Sequence, residues 1–331
     1  MKTIGTATLG VIFALTAIMG CDKIRAIRKA AEGASTATAV QEAVDPDDAL
    51  SEKLGEYINC LNYATKSVSY SRGQYFGWVD EKTGPTGKER SVGGLPAIDA
   101  DNCLKSIDKA KTLPPTLPEV EAAAAAYKTA LEELVPIADT AHKYYSQNDY
   151  KDDKLAKGKQ MHAQIVAGFA KFRTADKSFD GIVTGMNEAL SARQLQKLAK
   201  DPAARLHYLT KQSLAQAKVL VNAADIAQLK DLDAAKYQAA LENFEKANTE
   251  LETYTASHKA EVDKVSLFSS FVGDQEKFLK AAKDLMRRKR DNKDFNKETF
   301  SDRNPELVEG HPAQVTDKYN RMIGSSNSLH F

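Results

Sequence analysis

From Leu50 onward, apolar and polar residues alternate along the chain with a helical rather than an extended period. Leu50, Leu54, Tyr57, Ile58, Leu61, Thr65 and Val68 recur at three- and four-residue steps and predict a helix over 50–79 with one apolar face. Thr116-Leu117-Pro118-Glu119 has the form of a capping box, with Thr116 as N-cap and Glu119 reaching back. Behind it Leu117, Val120, Ala124, Tyr127, Leu131, Leu134, Ala138, Ala141 and Tyr145 make a heptad-like seam suited to a neighbouring antiparallel helix. Pro136 should kink that helix near Glu132. A turn is expected at Asn148-Asp149, then a helix through Leu155, His162, Ile165, Val166, Phe169 and Phe172, and a separate helical stretch over 179–200. Asp201-Pro202 supplies an N-cap and first-turn proline for the next helix, which carries Leu206, Leu209, Leu214 and Leu220. Further helices are predicted over 232–264, 268–290 and 314–323, with residues 324–331 as a polar tail. No run has the two-residue period of a strand. The expected fold class is therefore all-α: an antiparallel helical bundle, or two stacked bundles, over residues 49–323.

The N-terminus breaks this pattern. Lys2 is followed by an apolar run from Ile4 to Met19 that stops at Cys21, with Asp22-Lys23 directly after it. The run is shorter than the ~20 apolar residues of a membrane span and reads as a secretory signal over residues 1–20. Its ending, Ile18-Met19-Gly20-Cys21, looks like a bacterial lipobox, which implies cleavage before Cys21 and a lipid on that cysteine. Acyl burial contributes about 0.8 kcal/mol per methylene, so several chains hold a protein firmly at a membrane. Asp22 slightly favours retention in the inner membrane, with the outer membrane as the alternative. Residues 21–48 then read as a tether, basic at 23–29 and ending in Asp45-Pro46-Asp47-Asp48.

Charge narrows the partners. The chain has 46 basic and 45 acidic residues, and the signal removes only Lys2, so the mature chain is balanced. Nucleic acid is not an expected partner. Once Cys21 carries lipid, Cys60 and Cys103 remain in an oxidising compartment, and the simplest outcome for them is a disulfide. Closing the intervening loop stabilises by about 4 kcal/mol in the chain-entropy model.

Two segments stand out as candidate chemistry. The first is the polar, aromatic stretch from Tyr144 to Lys154, where Tyr144, Tyr145, Tyr150, Asp152 and Asp153, with His162 on the following helix, could grip a cation, a sugar or a cationic ligand. The bland alternative is a helix–helix turn with a satisfied polar network. Asp152 and Asp153 are adjacent, so on a helix they diverge by about 100 degrees and do not form a paired acid and base. The second is the glycine-punctuated loop after the first helix, with Trp78, Lys88 and Arg90 as candidate recognition residues. Gly84-Pro85-Thr86-Gly87-Lys88-Glu89 fails the phosphate-loop pattern, because Lys82 stands at the leading glycine and Glu89 replaces the magnesium-binding hydroxyl. His142 and His162 flank the expected turn without metal-ligand spacing, and His162 and His258 sit on apolar stripes, where a hydrogen-bonded core histidine is the usual explanation. Arg287-Arg288-Lys289-Arg290 ends a long helix, where cations favour the negative end of the dipole.

Several of these segments recur together. The run Tyr144 to Lys154 with Ala156-Lys157-Gly158-Lys159 and His162 is one; Trp78-Val79-Asp80 with Gly84 to Arg90 is another. Arg287 to Asp291 with Val308-Glu309-Gly310 and Tyr319-Asn320 is the third. In this order, over roughly residues 50 to 323, they resemble the YiiG-like bacterial lipoproteins, a family of unknown function. The resemblance implies an all-helical, membrane-tethered periplasmic protein and carries no catalytic residue or cofactor. The expected role is a non-catalytic module, without metal or cofactor, that binds an envelope protein or small ligand. The competing expectations are an envelope hydrolase or metal-dependent enzyme using His142, His162 and nearby carboxylates, and a structural spacer.

Overall fold

The computed structural model describes residues 45–295 and 304–331. The signal segment, Cys21 and the tether up to residue 44 lie outside the described residues. Within them the chain is helical, with nine α-helices and no strand. We number these α1 (Pro46–Phe76), α2 (Asp101–Thr112), α3 (Pro118–Ser146), α4 (Ala156–Ala199), α5 (Arg205–Ala223), α6 (Ala234–Ser257), α7 (Lys259–Val262), α8 (Phe268–Arg290) and α9 (Pro312–Ser326). No helix among the described residues is long and apolar enough to cross a membrane. The fold is all-α, as the periodicity predicts. The described chain forms two compact units that divide between Ser191 and Ala192, inside α4.

In the first unit, α1, α3 and α4 meet through their apolar stripes. Tyr57 of α1 and Tyr127 of α3 both pack on Phe179 of α4, with ring centroids 5.3 and 5.2 Å apart. Cys60 and Cys103, both buried, are joined by a disulfide with a 2.04 Å sulfur–sulfur bond that staples α2 to α1. Lys53 is wholly buried, yet its ammonium donates to the carbonyls of Leu113 (3.0 Å) and Pro115 (2.8 Å) and pairs with Glu121. Three acceptors replace the water that a buried ammonium loses.

The second unit is built from α5, α6, α8 and α9. Phe244, Phe278 and Tyr319 form its aromatic centre, with Leu209, Leu220, Leu241, Leu251 and Met322 around them. One polar knot lies in that core. Ser213 donates to Asn248 at 2.8 Å, and the Gln275 amide donates to the same Asn248 oxygen at 2.6 Å. Buried polar groups satisfied by one another carry no desolvation penalty beyond their burial.

The boundaries correct several expectations. The helix expected from Leu50 begins at Pro46, because Asp45 accepts the Asp47 N–H as N-cap, so the last residues assigned to the tether are helical. The capping box at Thr116 and Glu119 does not form: Leu117 is the N-cap, and Glu121, one turn deeper, accepts the Leu117 N–H at 3.0 Å. The two helical stretches expected after the turn are one helix of 44 residues, α4, since nothing between Phe172 and Phe179 breaks it. His258 is exposed at the C-cap of α6, stacked on Tyr254, rather than on a buried stripe. The segment expected as a polar tail from residue 324 is helical at its start and packed further on. α9 continues to Ser326, Leu329 is 1% exposed, and the Phe331 ring stacks on His207 at 4.4 Å.

Candidate functional site

The two segments singled out in the sequence converge in the first unit. At the end of α1, the Gly77 N–H donates to the Gly73 carbonyl at 3.0 Å and the chain enters a non-helical loop that runs to Ala100. The loop folds back over aromatic rings from α1, α3 and α4. Trp78 meets Tyr145 edge-on at 5.2 Å and Tyr75 at 5.7 Å, and Tyr145 in turn meets Tyr144 at 4.9 Å and Tyr150 at 6.3 Å.

His162 is the latch between loop and helices. Its Nε2 faces the Glu81 carbonyl at 3.1 Å, and its Nδ1 faces the Tyr75 hydroxyl at 2.9 Å. A carbonyl only accepts, so Nε2 carries the proton there and Nδ1 accepts from Tyr75. Burial pushes the Tyr75 phenol up to about 12, which keeps it a donor at any ordinary pH. His142 does a similar job further along, with Nδ1 at 3.0 Å from the Leu95 carbonyl. The two histidines therefore hold two points of one loop, each by a backbone carbonyl. Ser71 donates to the Pro96 carbonyl at 2.6 Å and Trp78 to the Gly94 carbonyl at 2.8 Å.

Glycine is required at two of these contacts. Gly84 has φ +71°, and a Cβ there would sit 2.8 Å from the His162 ring. Gly158, on the first turns of α4, leaves room for the Tyr145 hydroxyl, which a Cβ would approach to 2.8 Å. That hydroxyl lies beside Tyr75 but makes no hydrogen bond of acceptable geometry. Burial also raises the Tyr145 phenol.

The loop tip explains why it is not a phosphate cradle. Glu89 accepts from the Thr86 N–H, from the Thr86 hydroxyl at 2.8 Å and from the Gly87 N–H at 2.8 Å. Partial burial opposes ionisation of Glu89, but these donors outweigh it and hold the carboxyl at about 2. The backbone donors that an external anion would use are taken by the chain's own carboxylate.

The turn between α3 and α4 is equally self-contained. Asn148 adopts the left-handed conformation expected of a turn residue, and Lys154 and Leu155 do so as well. Tyr144 donates to Asp153 at 2.7 Å, and the Lys157 N–H donates to the other oxygen at 3.0 Å. Both bonds hold the Asp153 carboxyl below its usual range, the Tyr144 hydroxyl first. Tyr150 donates to the Asn148 side chain at 3.0 Å. Asp152 is exposed, and both it and Asp153 lie in the turn before α4 rather than on a helix, so the helical divergence expected of them does not apply. Of the residues proposed to grip a ligand, the structure brings Tyr144, Tyr145, Tyr150 and Asp153 together, joins His162 through Tyr75, and leaves Asp152 apart.

Facing outward are Lys88 and Arg90. Both are exposed, and neither side chain forms an ion pair among the described residues. By contrast, the basic run at the end of α8 is consumed internally. Arg287 bonds Asp284, Arg288 bonds the Glu309 carbonyl, Lys289 bonds the carbonyls of Leu229 and Lys230, and Arg290 bonds Asp291. Among the described residues, no group of three or more His, Cys, Asp or Glu is placed to hold a metal ion.

Sequence reasoning gave no contact to three residues of this site: Tyr75, Glu81 and Gly158. The partner of Tyr75, His162, lies 87 residues away. Nothing local marks the Glu81 carbonyl. Gly158 had a signal, since a glycine in the first turns of a helix costs stability without a packing reason.

The chain matches the model of a family described as "Protein of unknown function (DUF3829)" over residues 48–328. It is 32% identical over 300 residues to an Escherichia coli (strain K12) protein named "Uncharacterized protein YiiG", an alignment covering 88% of this chain and 82% of that one. No solved structure matches.

Proposed function

Because the chain belongs to the DUF3829 family, whose activity is unknown, the functional reading has to come from its own residues, and we propose a lipid-anchored envelope protein that binds a partner through the loop from Trp78 to Ala100. The observation that carries this reading is the pairing of a firmly latched loop with free cations at its tip. His162, His142, Ser71 and Trp78 fix the backbone, while Lys88 and Arg90 project without internal partners. A loop held in advance loses little conformational entropy on binding. Two unpaired cations suit an anionic group on an envelope protein or ligand. The apolar leader and the sequence Ile18-Met19-Gly20-Cys21 support the anchor and the periplasmic address. The inner membrane is the address that Asp22 favours.

The test is photocrosslinking in intact cells from a probe at Ser91, compared between the parent and Lys88→Glu with Arg90→Glu. The expected result is a discrete adduct that the charge reversals abolish while the far-ultraviolet melt is unchanged. An adduct of undiminished yield in the charge-reversed protein, or none in the parent, refutes the reading.

A further inference from the structure

Large apolar side chains that stand singly on a surface need no explanation. Among the described residues Val219, Leu267, Leu307 and Phe331 are of that kind, each on a different part of the chain. Tyr63 and Tyr70 are not. They are 64% and 60% exposed and lie seven residues apart on α1. That is two helical turns, about 10 Å along the axis, so the two share one face. Neither makes a hydrogen bond or a ring contact among the described residues. Asn59, Lys66 and Gln74, all exposed, continue the same face at three- and four-residue steps.

Charge is arranged around these rings as well. The chain has 45 acidic residues, yet none falls between Glu56 and Asp80. Over that run the face carries one charge, Lys66, which forms no ion pair among the described residues. A glycine then opens the second ring. Helical side chains lean toward the N-terminus, so a side chain at position 73 would lie over the turn that carries Tyr70. Gly73 is exposed, and a Cβ there would meet nothing within 4 Å. Glycine inside a helix is destabilising relative to alanine, and no packing contact accounts for it here.

The chemistry of the occupant follows from this order of groups. Sugar rings lay their C–H faces on aromatic rings, and their hydroxyls bond amide side chains such as those of Asn59 and Gln74. The separation of the two tyrosines is close to the length of one disaccharide in an extended β-1,4-linked chain. Lys66 lies between them and complements one anionic group per repeat. We propose that this face of α1 binds a β-1,4-linked glycan strand that carries a carboxylate on alternate sugars. A second copy of the chain fits the face less well. A stable interface needs about 800 Å² per partner around an apolar core, whereas Asn59, Lys66, Gly73 and Gln74 fill the rest of this one. A two-fold pairing about its middle would also set Lys66 against its own copy. The site uses neither Lys88 nor Arg90 and stands apart from the loop tip.

Calorimetric titration of the full mature chain with soluble cell-wall glycan strands tests it, the strands freed of peptide by an amidase so that lactyl carboxylates stand on alternate sugars. Saturable binding is expected, weakened about tenfold by Tyr63→Ala with Tyr70→Ala. Lys66→Gln should weaken it about threefold and leave the affinity for neutral chitohexaose unchanged. Gly73→Gln separates surface from fold: it should melt higher than the parent, yet bind the strands several-fold more weakly. Absence of saturation at millimolar disaccharide overturns the proposal. So does undiminished binding by the tyrosine variant, or loss of binding in Lys88→Glu with Arg90→Glu alone. A monomer–dimer equilibrium that the tyrosine variant abolishes, without glycan binding, overturns it in favour of a second copy.

Discussion

Single residues show where this protein is under strain. Asp176 on α4 accepts from Thr65 at 2.6 Å, and Thr65 also meets the Tyr127 hydroxyl at 3.2 Å. Burial pushes the Asp176 carboxyl up to about 6; the Thr65 hydroxyl offsets part of this and nearby Asp180 adds to it. The folded chain therefore keeps a proton that the unfolded chain releases near pH 4. Between about pH 4 and 6 the unfolded state binds fewer protons, so stability falls as pH rises through that window and stays lower above it. Asp176→Asn keeps the acceptor oxygen and removes the charge. It should raise stability by about 1–2 kcal/mol at pH 7.5 and flatten the pH dependence of urea unfolding between pH 4 and 6. Unchanged midpoints across that range would refute the assignment. Gly84 gives a second test at this scale. Gly84→Ala puts a methyl into the His162 ring at a positive φ and should destabilise by about 1–3 kcal/mol. Hydrogen exchange should quicken in residues 77–96 before it does elsewhere.

At the scale of elements, the question is what stitches helices together. The Cys60–Cys103 bridge joins α1 to α2, and Lys53 gathers the carbonyls at the end of α2 with Glu121 of α3. Replacing both cysteines by serine should cost about 3–4 kcal/mol in denaturant unfolding, and reductant should lower the parent midpoint by a similar amount while leaving the variant unmoved. Lys53→Met leaves three acceptors facing an apolar end and should cost about 3 kcal/mol. These elements were largely readable in advance. The stripe of Val120, Ala124, Tyr127, Leu131 and Leu134 is buried as the seam predicts, because helical period and burial are one signal. What failed were the ends. Thr116 and Glu119 have capping-box spacing, but Lys53 draws Glu121 into place and Glu121 takes the free N–H instead. A buried cation from another helix decides a local contest that local sequence cannot show. The site was half legible for the same reason. Trp78 and Tyr145 were each conspicuous, but their contact depends on a latch between His162 and Tyr75 that sequence separation hides.

For the whole molecule, the prediction concerns attachment. Mass spectrometry of the mature protein should find an N-terminus at Cys21 carrying acyl chains, and Cys21→Ser should release the protein from washed membranes. An unmodified cysteine, or cleavage elsewhere, would end the anchor reading and with it the argument from compartment to disulfide. Division into two units within α4 was only partly foreseen. The sequence offered two bundles but broke the helix before residue 179, whereas α4 runs unbroken across the division at Ser191. The buried residues of α4 keep one face from Gly158 to Leu190, but between Phe172 and Phe179 that face is carried by the polar, partly buried Asp176, so the apolar pattern reads as two shorter helices.

The latched loop also comes with its own reporter. Trp78 is the sole tryptophan of the chain, and it sits half-buried between Tyr75 and Tyr145 with its indole N–H on the Gly94 carbonyl. Intrinsic emission excited at the red edge of its absorbance therefore comes from this loop alone. A red shift and gain in quenching by acrylamide would time its lifting from the rings without any label.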